Sequence, residues 1–205
     1  MARLKLSKHK REVLKDLAGF CEKNKFFLVG GSNMSLRFNH RDSEDLDWFT
    51  LRNFDTRALM TLLREADLEP KLISESSNSL HITVRGVRLS FLRFDYKADV
   101  ERGTSGAPFA SLKTLAAMKI LAIANRGTRK DFYDVHVLMK NGWPLKKQIE
   151  AARDMIPKLS VDQITRSLKH FAEADKDHGH YKYVYTWPTV KKDISAAMAK
   201  YAEGR

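Results

Sequence analysis

Apolar residues recur at three- and four-residue spacing through Val13, Leu14, Leu17, Phe20 and Cys21, the period of one helical face. Ser7 stands where an N-cap belongs, so a helix is expected from there to about Asn24. Phe26-Phe27-Leu28-Val29 is a short apolar run of the kind that forms a buried strand, and it stops at Gly30-Gly31-Ser32. A second helix is expected from near Asn33, carrying Met34, Leu36 and Phe38. Asp45 to Thr50 reads as the next strand. Side chains alternate across a strand, so Asp45, Asp47 and Phe49 share one face while Leu46 and Trp48 take the other. Thr56 to Ala66 reads as a helix with Leu59, Leu62 and Leu63 inward. His81 to Phe94 reads as a hairpin, with Ile82 and Val84 on one arm, Val87, Leu89 and Phe91 on the other, and Arg85-Gly86 at the turn. From Ser111 the pattern is helical to the end, broken near Gly127, Gly142-Trp143-Pro144 and Asp177-His178-Gly179-His180.

This order predicts an α+β fold, a small mixed sheet with helices packed on it, followed by a helical C-terminal region. No repeat, low-complexity tract or long linker separates the two, and the soft break falls near Gly103 to Pro108. The expected division is 1–105 and 106–205.

Bulk properties narrow the setting. The chain has 205 residues, 43% of them hydrophobic, enough for a sizeable core. No apolar run approaches the roughly 18 residues of a membrane helix. The basic stretch from Met1 to Arg11 leads into an amphipathic pattern and not an apolar one, which argues against a secretory signal. A single cysteine, Cys21, makes no internal disulfide; it sits on an apolar helix face as a core residue. A cytoplasmic location is therefore expected. The 37 Lys and Arg against 25 Asp and Glu give a net charge of +12, a field that attracts RNA, DNA or an acidic partner.

The chemistry concentrates between Gly30 and Asp47. Two carboxylates on one strand face raise each other's pKa unless a cation lies between them. Their oxygens suit a hard divalent ion, Mg²⁺ or Mn²⁺, and Asp45 and Asp47 are the candidate metal ligands. Gly30, Gly31 and Ser32 leave a strand and enter a helix, where backbone N–H groups come close to a phosphate and the helix N-terminus favours an anion. Each feature alone is common: a Gly-Gly-Ser is usually just a turn, and an Asp-x-Asp usually a solvated edge. Their order and spacing together point to phosphoryl or nucleotidyl transfer.

Leu28-Val29-Gly30-Gly31-Ser32 followed by His40-Arg41-Asp42-Ser43-Glu44-Asp45-Leu46-Asp47-Trp48-Phe49 resembles the first motif of the AbiEii/AbiGii toxin family. Leu115 to Gly127, Arg129-Lys130-Asp131-Phe132-Tyr133-Asp134, and the stretch from Ser167 to Trp187 resemble its later motifs. The resemblance covers most of the chain in the right order. It implies a DNA-polymerase-β-like nucleotidyltransferase core, Mg²⁺-dependent use of an NTP, and a toxin paired with a separately encoded antitoxin, commonly DNA-binding. It implies an RNA acceptor, notably a tRNA 3′ end. It also implies that Lys119 contacts the NTP phosphates and that Asp131 acts near the active site, where Asp131 would otherwise pair with Asp134 as exposed acids at a helix start. Arg126, Arg129 and Lys130 are the candidate nucleic-acid contacts.

One departure stands out. Enzymes of this superfamily usually carry a third carboxylate on the strand after the first motif, as general base. The strand here is Val87-Arg88-Leu89-Ser90-Phe91-Leu92, with Ser90 in that place. The base is thus open between a metal-bound route and Asp131. A small-molecule or protein acceptor, and a decayed module that binds without turnover, remain the rival readings. His178 and His180 beside Asp175 and Asp177 lack further metal-ligand spacing and read as a polar loop.

Overall fold

In the computed structural model, residues 6–103, 105–177 and 183–203 are described. The chain divides into two compact units, Met1–Ser111 and Leu112–Arg205. No helix of the described residues is long and apolar enough to cross a membrane.

The described part of the first unit holds helices α1 (Lys8–Lys23), α2 (Gly30–Phe38) and α3 (Thr56–Glu65), with strands β1 (Phe27–Leu28), β2 (Leu46–Thr50), β3 (Lys71–Ser76), β4 (Ser79–Val84), β5 (Val87–Arg93), β6 (Val100–Arg102) and β7 (Pro108–Ala110). The strands form one sheet in the order β3-β4-β5-β2-β1-β7-β6. It is mixed, since β2 runs parallel to β5 and β1 parallel to β7, while the other neighbouring pairs are antiparallel. Ser7 caps α1 by accepting from the Lys10 N–H, and Asp55 caps α3 by accepting from that of Ala58, the role short polar side chains serve at helix starts. The β4–β5 turn is Arg85-Gly86, both at positive φ (48° and 77°), as a tight two-residue hairpin turn requires.

Three details differ from expectation. The second helix starts at Gly30, not near Asn33. In α3 Leu59 and Leu63 are inward as expected, but the third inward residue is Met60, three positions before Leu63, and Leu62 is 41% exposed. Strands β3, β6 and β7 were not read from the sequence. Every residue of β3 is exposed, so it has no apolar alternation to find, and β6 and β7 have three residues each.

The apolar face of the sheet carries the core. Leu46 and Trp48 of β2, Leu89 and Phe91 of β5, and Leu80, Ile82 and Val84 of β4 bury against Val13, Leu14, Leu17 and Cys21 of α1. Burial pushes the Cys21 thiol pKa up, consistent with a packing residue. The opposite face carries Asp47, Ser90 and His81 side by side in register on β2, β5 and β4.

The second unit is helical: α4 (Leu112–Asn125), α5 (Arg129–Lys140), α6 (Leu145–Met155), α7 (Val161–Lys169), α8 (Ala172–Asp175) and α9 (Trp187–Glu203). Gly127, at φ 55°, ends the α4 segment as its N–H reaches the Ala122 carbonyl, the left-handed close that glycine adopts without strain. Ile120, Ile123, Phe132, Ile149, Ile164, Leu168, Ile194 and Met198 build its core. Trp143 packs at its turn beneath the Lys147 ammonium, 4.0 Å from the ring centre. His178 and His180 lie outside the described residues, and Asp175 accepts from Trp187 Nε1 and Lys191 Nζ.

Candidate active site

The turn from β1 into α2 is built by close contacts that leave little freedom. Val29 is extended, and Gly30 follows at φ 66°. A side chain at Gly30 would place its Cβ 2.8 Å from Asp47 Oδ2, and one at Gly31 would lie 2.5 Å from the Arg41 guanidinium. Glycine is therefore needed twice: the Asp47 carboxylate lies directly against the first helical residue, and a buried arginine against the second. The first-turn N–H groups of a helix have no intrahelical acceptor, so here they and Arg41 offer positive charge beside the carboxylate.

Ser32 is fully buried, and its hydroxyl donates to the Asp45 carbonyl, with the Ser43 hydroxyl 3.0 Å away. It thus ties α2 to the segment entering β2. Asn33, also buried, donates from Nδ2 to the Leu28 and Ala110 carbonyls, pinning the ends of β1 and β7. Arg37 donates to Asn33 Oδ1 and the Ala110 carbonyl and pairs with Glu101 at 2.8 Å. Arg37 is part of the scaffold, whereas Arg41 stands at the cradle.

Asp45 precedes the first residue of β2, and Asp47 is its second. Arg88 Nε donates to Asp45 Oδ1 at 2.6 Å, and its Nη2 to Glu44 Oε2 at 2.7 Å. The hydrogen bond to Asp45, with the two negative charges, pushes the Arg88 pKa up. Asp45 is thus placed to hold a cation, and a guanidinium fills that role. At about half exposure such a pair contributes roughly 0–1 kcal/mol, little resistance to a divalent competitor. Among the described residues, no three or more His, Cys, Asp and Glu side chains are grouped to hold a metal ion. Two carboxylates with phosphate oxygens and water suit an octahedral ion that arrives with a nucleotide, since such ions are commonly held by one or two carboxylates plus substrate phosphates. The residues present therefore fit a substrate-chelated ion.

In the helical unit, the other expected site residues form a buried charge network. Lys119 Nζ lies 2.6 Å from Asp134 Oδ2 and 3.6 Å from Asp131 Oδ1. Arg126 grips Asp131 with two hydrogen bonds, Nε to Oδ2 at 2.8 Å and Nη2 to Oδ1 at 2.9 Å, and the Thr128 hydroxyl donates to Oδ2 at 2.7 Å. Both aspartates are fully buried, which corrects the picture of an exposed pair at a helix start. Burial pushes the Asp131 carboxyl up, but Arg126, Lys119 and Thr128 together hold it below its ordinary value. Thr128 occupies the N-cap position of α5 without capping it, because its hydroxyl is used on Asp131. Arg129 donates to the Ala174 and Asp175 carbonyls and lies over the Trp187 ring, so it fastens α8 and α9. Lys130 sits half-buried in the first turn of α5.

The Asp47 carboxylate thus lies against the glycine turn into α2, and Asp45, two residues before it, is held by Arg88. Comparison with known proteins gives the family. Residues 79–182 match the family described as nucleotidyl transferase AbiEii toxin, type IV TA system. An uncharacterized protein of Aquifex aeolicus (strain VF5) is 30% identical over 207 residues, covering 97% of this chain and 98% of its own. The chain belongs to the AbiEii nucleotidyl transferase toxin family. Two solved structures are also similar: the solution structure of the antibiotic-resistance factor ANT(2'')-Ia (13% identity, 97% of this chain and 98% of that one, TM-score 0.43) and its crystal structure with adenylyl-2''-tobramycin (14%, 95% and 99%, TM-score 0.40). The matched span begins at β4, so it includes His81 and Ser90 and excludes the Gly30-to-Asp47 segment.

Proposed function

We propose that the protein transfers a nucleoside monophosphate from an NTP to the 3′ hydroxyl of an RNA, tRNA being the favoured class, as the toxin of a toxin–antitoxin pair in the cytoplasm. The observation that carries the reading is the contact of the Asp47 carboxylate with Gly30 at the start of α2. It sets a cation ligand beside a helix N-terminus, where the triphosphate's charge is balanced by backbone N–H groups of Gly30 and Gly31 and by Arg41. A divalent ion held by Asp45, Asp47 and the triphosphate supplies Lewis-acid stabilisation of the charge on the reacting phosphoryl group.

The RNA acceptor is supported by charge. The net +12 is a polyanion-attracting field. In the helical unit a cavity of about 580 Å³ is lined by the basic residues Arg126, Arg166, Lys169 and His170 together with one acid, Glu173. Phosphate contacts there are expected to give the usual steep salt dependence. Replacing Arg166 and Lys169 together by Glu should weaken RNA binding at least tenfold at low salt. It should also lower the slope of log affinity against log salt by about one for each residue. Filter binding across a salt series checks this, and an unchanged slope would remove the cavity from the RNA path.

The functional test is incubation of the full chain with total tRNA, Mg²⁺ and each α-labelled NTP in turn. Label entering RNA with one NTP is the expected outcome. Label entering protein or a small-molecule acceptor in its place would overturn the RNA assignment. The family's type IV TA description supports an antitoxin as partner, and co-expression of a separately encoded antitoxin should relieve growth arrest.

A further inference from the structure

Transfer to a hydroxyl requires that its proton go somewhere, and in the proposed function Asp45 and Asp47 are committed to a cation. The groups next to them on the same sheet face are set by register. Asp47 pairs with Ser90 across β2 and β5, and Ser90 pairs with His81 across β5 and β4. Neighbouring strands are about 4.8 Å apart, so Ser90 is the immediate lateral neighbour of Asp47 and His81 stands one strand beyond. The two side chains meet: Ser90 Oγ lies 3.1 Å from His81 Nδ1, and His81 Nε2 lies 3.2 Å from Ser79 Oγ. Both are half-buried, reached by solvent yet fixed by these contacts. A serine hydroxyl held by an imidazole that is itself oriented by a third group has the geometry of an activated hydroxyl.

We propose that Ser90 and His81 form the proton-accepting relay for the acceptor hydroxyl, an inference that rests on the nucleotidyl-transfer reading. With its proton on Nε2 and donated to Ser79, His81 accepts from the Ser90 hydroxyl at Nδ1. The acceptor O–H gives its proton to Ser90 Oγ as the Ser90 proton passes to Nδ1. The freed oxygen forms its bond to the α-phosphorus, and the bond from that phosphorus to the bridging oxygen breaks. Pyrophosphate leaves with the electron pair. The imidazolium then returns its proton to solvent. Ser90 is the catalytic residue that touches the acceptor; His81 positions it and takes up the charge. The charged side chains facing His81 are Arg88 of β5 and Lys71 of β3, which flank Thr83 one alternation away, and Asp45 and Asp47 beyond Ser90.

The test uses the full chain with saturating Mg²⁺, NTP and acceptor, read as kcat, KM for NTP and pH–rate profile. Ser90→Ala and His81→Gln should each lower kcat roughly a hundredfold, within the usual contribution of general-base catalysis, with KM for NTP unchanged. His81→Gln should also lose the acid limb of the wild-type profile. Ser90→Asp in the His81→Gln background places a carboxylate beside Asp47 and should recover most of the rate. Mg²⁺-dependent NTP binding, followed as a rise in melting temperature, should persist in all three, which shows them folded. Single variants within twofold of wild-type kcat across the pH range would overturn the relay and leave nucleotidyl transfer standing. So would a His81→Gln enzyme that is slow but keeps the wild-type pH profile. A wild-type protein that labels no acceptor would overturn the transfer reading and the relay together.

Discussion

Asp47→Ala is expected to lower nucleotidyl transfer on the order of a thousandfold, the scale set by removing a group that stabilises transition-state charge, while the protein stays folded. The reason lies in its position. Asp47 is the second residue of β2, between the buried Leu46 and Trp48, and its side chain lies on the half-exposed face that carries no core. Truncation there leaves no apolar cavity and removes no core contact. It does remove the carboxylate's attraction to the α2 N-terminus, so the melting temperature should fall only slightly. What disappears is the anionic ligand that meets Gly30 at the mouth of α2. Mg²⁺-dependent stabilisation by NTP should vanish with it, since binding to the native state raises the melting temperature by mass action. Transfer at more than a tenth of the wild-type rate, with NTP still stabilising the variant, would place the cation elsewhere. Asp45→Ala should behave similarly but less severely, because Asp45 shares its charge with Arg88.

The two halves of the candidate site stood out in the sequence, for reasons that particular residues make plain. Gly30-Gly31 and Asp45-x-Asp47 are each common alone and stand out only by their order and spacing along the chain. The structure adds what composition cannot show, that a Cβ at either glycine would strike Asp47 or Arg41. Arg41 lies in the polar stretch between the two halves of the motif, yet it is buried. A lone arginine in a polar stretch carries no local mark of burial; only its contact with Gly31 reveals it. Ser32 shows the reverse: the motif was legible, but its hydroxyl is turned to the Asp45 carbonyl. The pairing of His81 with Ser90 follows from the hairpin register, but their place beside Asp47 was invisible because it depends on β5 lying next to β2, out of sequence order in the sheet.

The fold divides the same way. Helices with a clear apolar stripe, such as α1, and the tight β4–β5 hairpin were readable from period and turn chemistry. The edge strand β3 has no buried residue, and its pairing with β4 carries a register shift between Leu72 and Ser74, so nothing in its sequence alternates. In the helical unit, spacing placed Asp131 and Asp134 on one face of α5. It was silent on which way that face turns, and the answer is inward, onto Lys119.

That orientation sets the second large expectation, which concerns stability. Asp134→Ala should destabilise the protein by about 3–5 kcal/mol, because it leaves the Lys119 ammonium buried with its closer partner gone. Over a chain of this size each kcal/mol is about 2–4 °C, so the melting temperature should fall by roughly 10 °C. Replacing Lys119 by Met together with Asp134 by Leu removes both charges at similar volume and should recover much of the loss, since a buried pair exchanged for apolar groups is often neutral. The same network predicts the acid limb of stability. The Asp131 carboxyl is held below its ordinary value, so the folded state binds its proton less readily than the unfolded chain does. Its stabilisation is complete above the unfolded value, near pH 4, and is lost as pH falls through the lower folded value. Asp131→Asn should flatten that limb. Thermal melts between pH 3 and 7 check all three variants. An Asp134→Ala protein that melts like wild type yet transfers no nucleotide would move this network out of the scaffold and into the reaction.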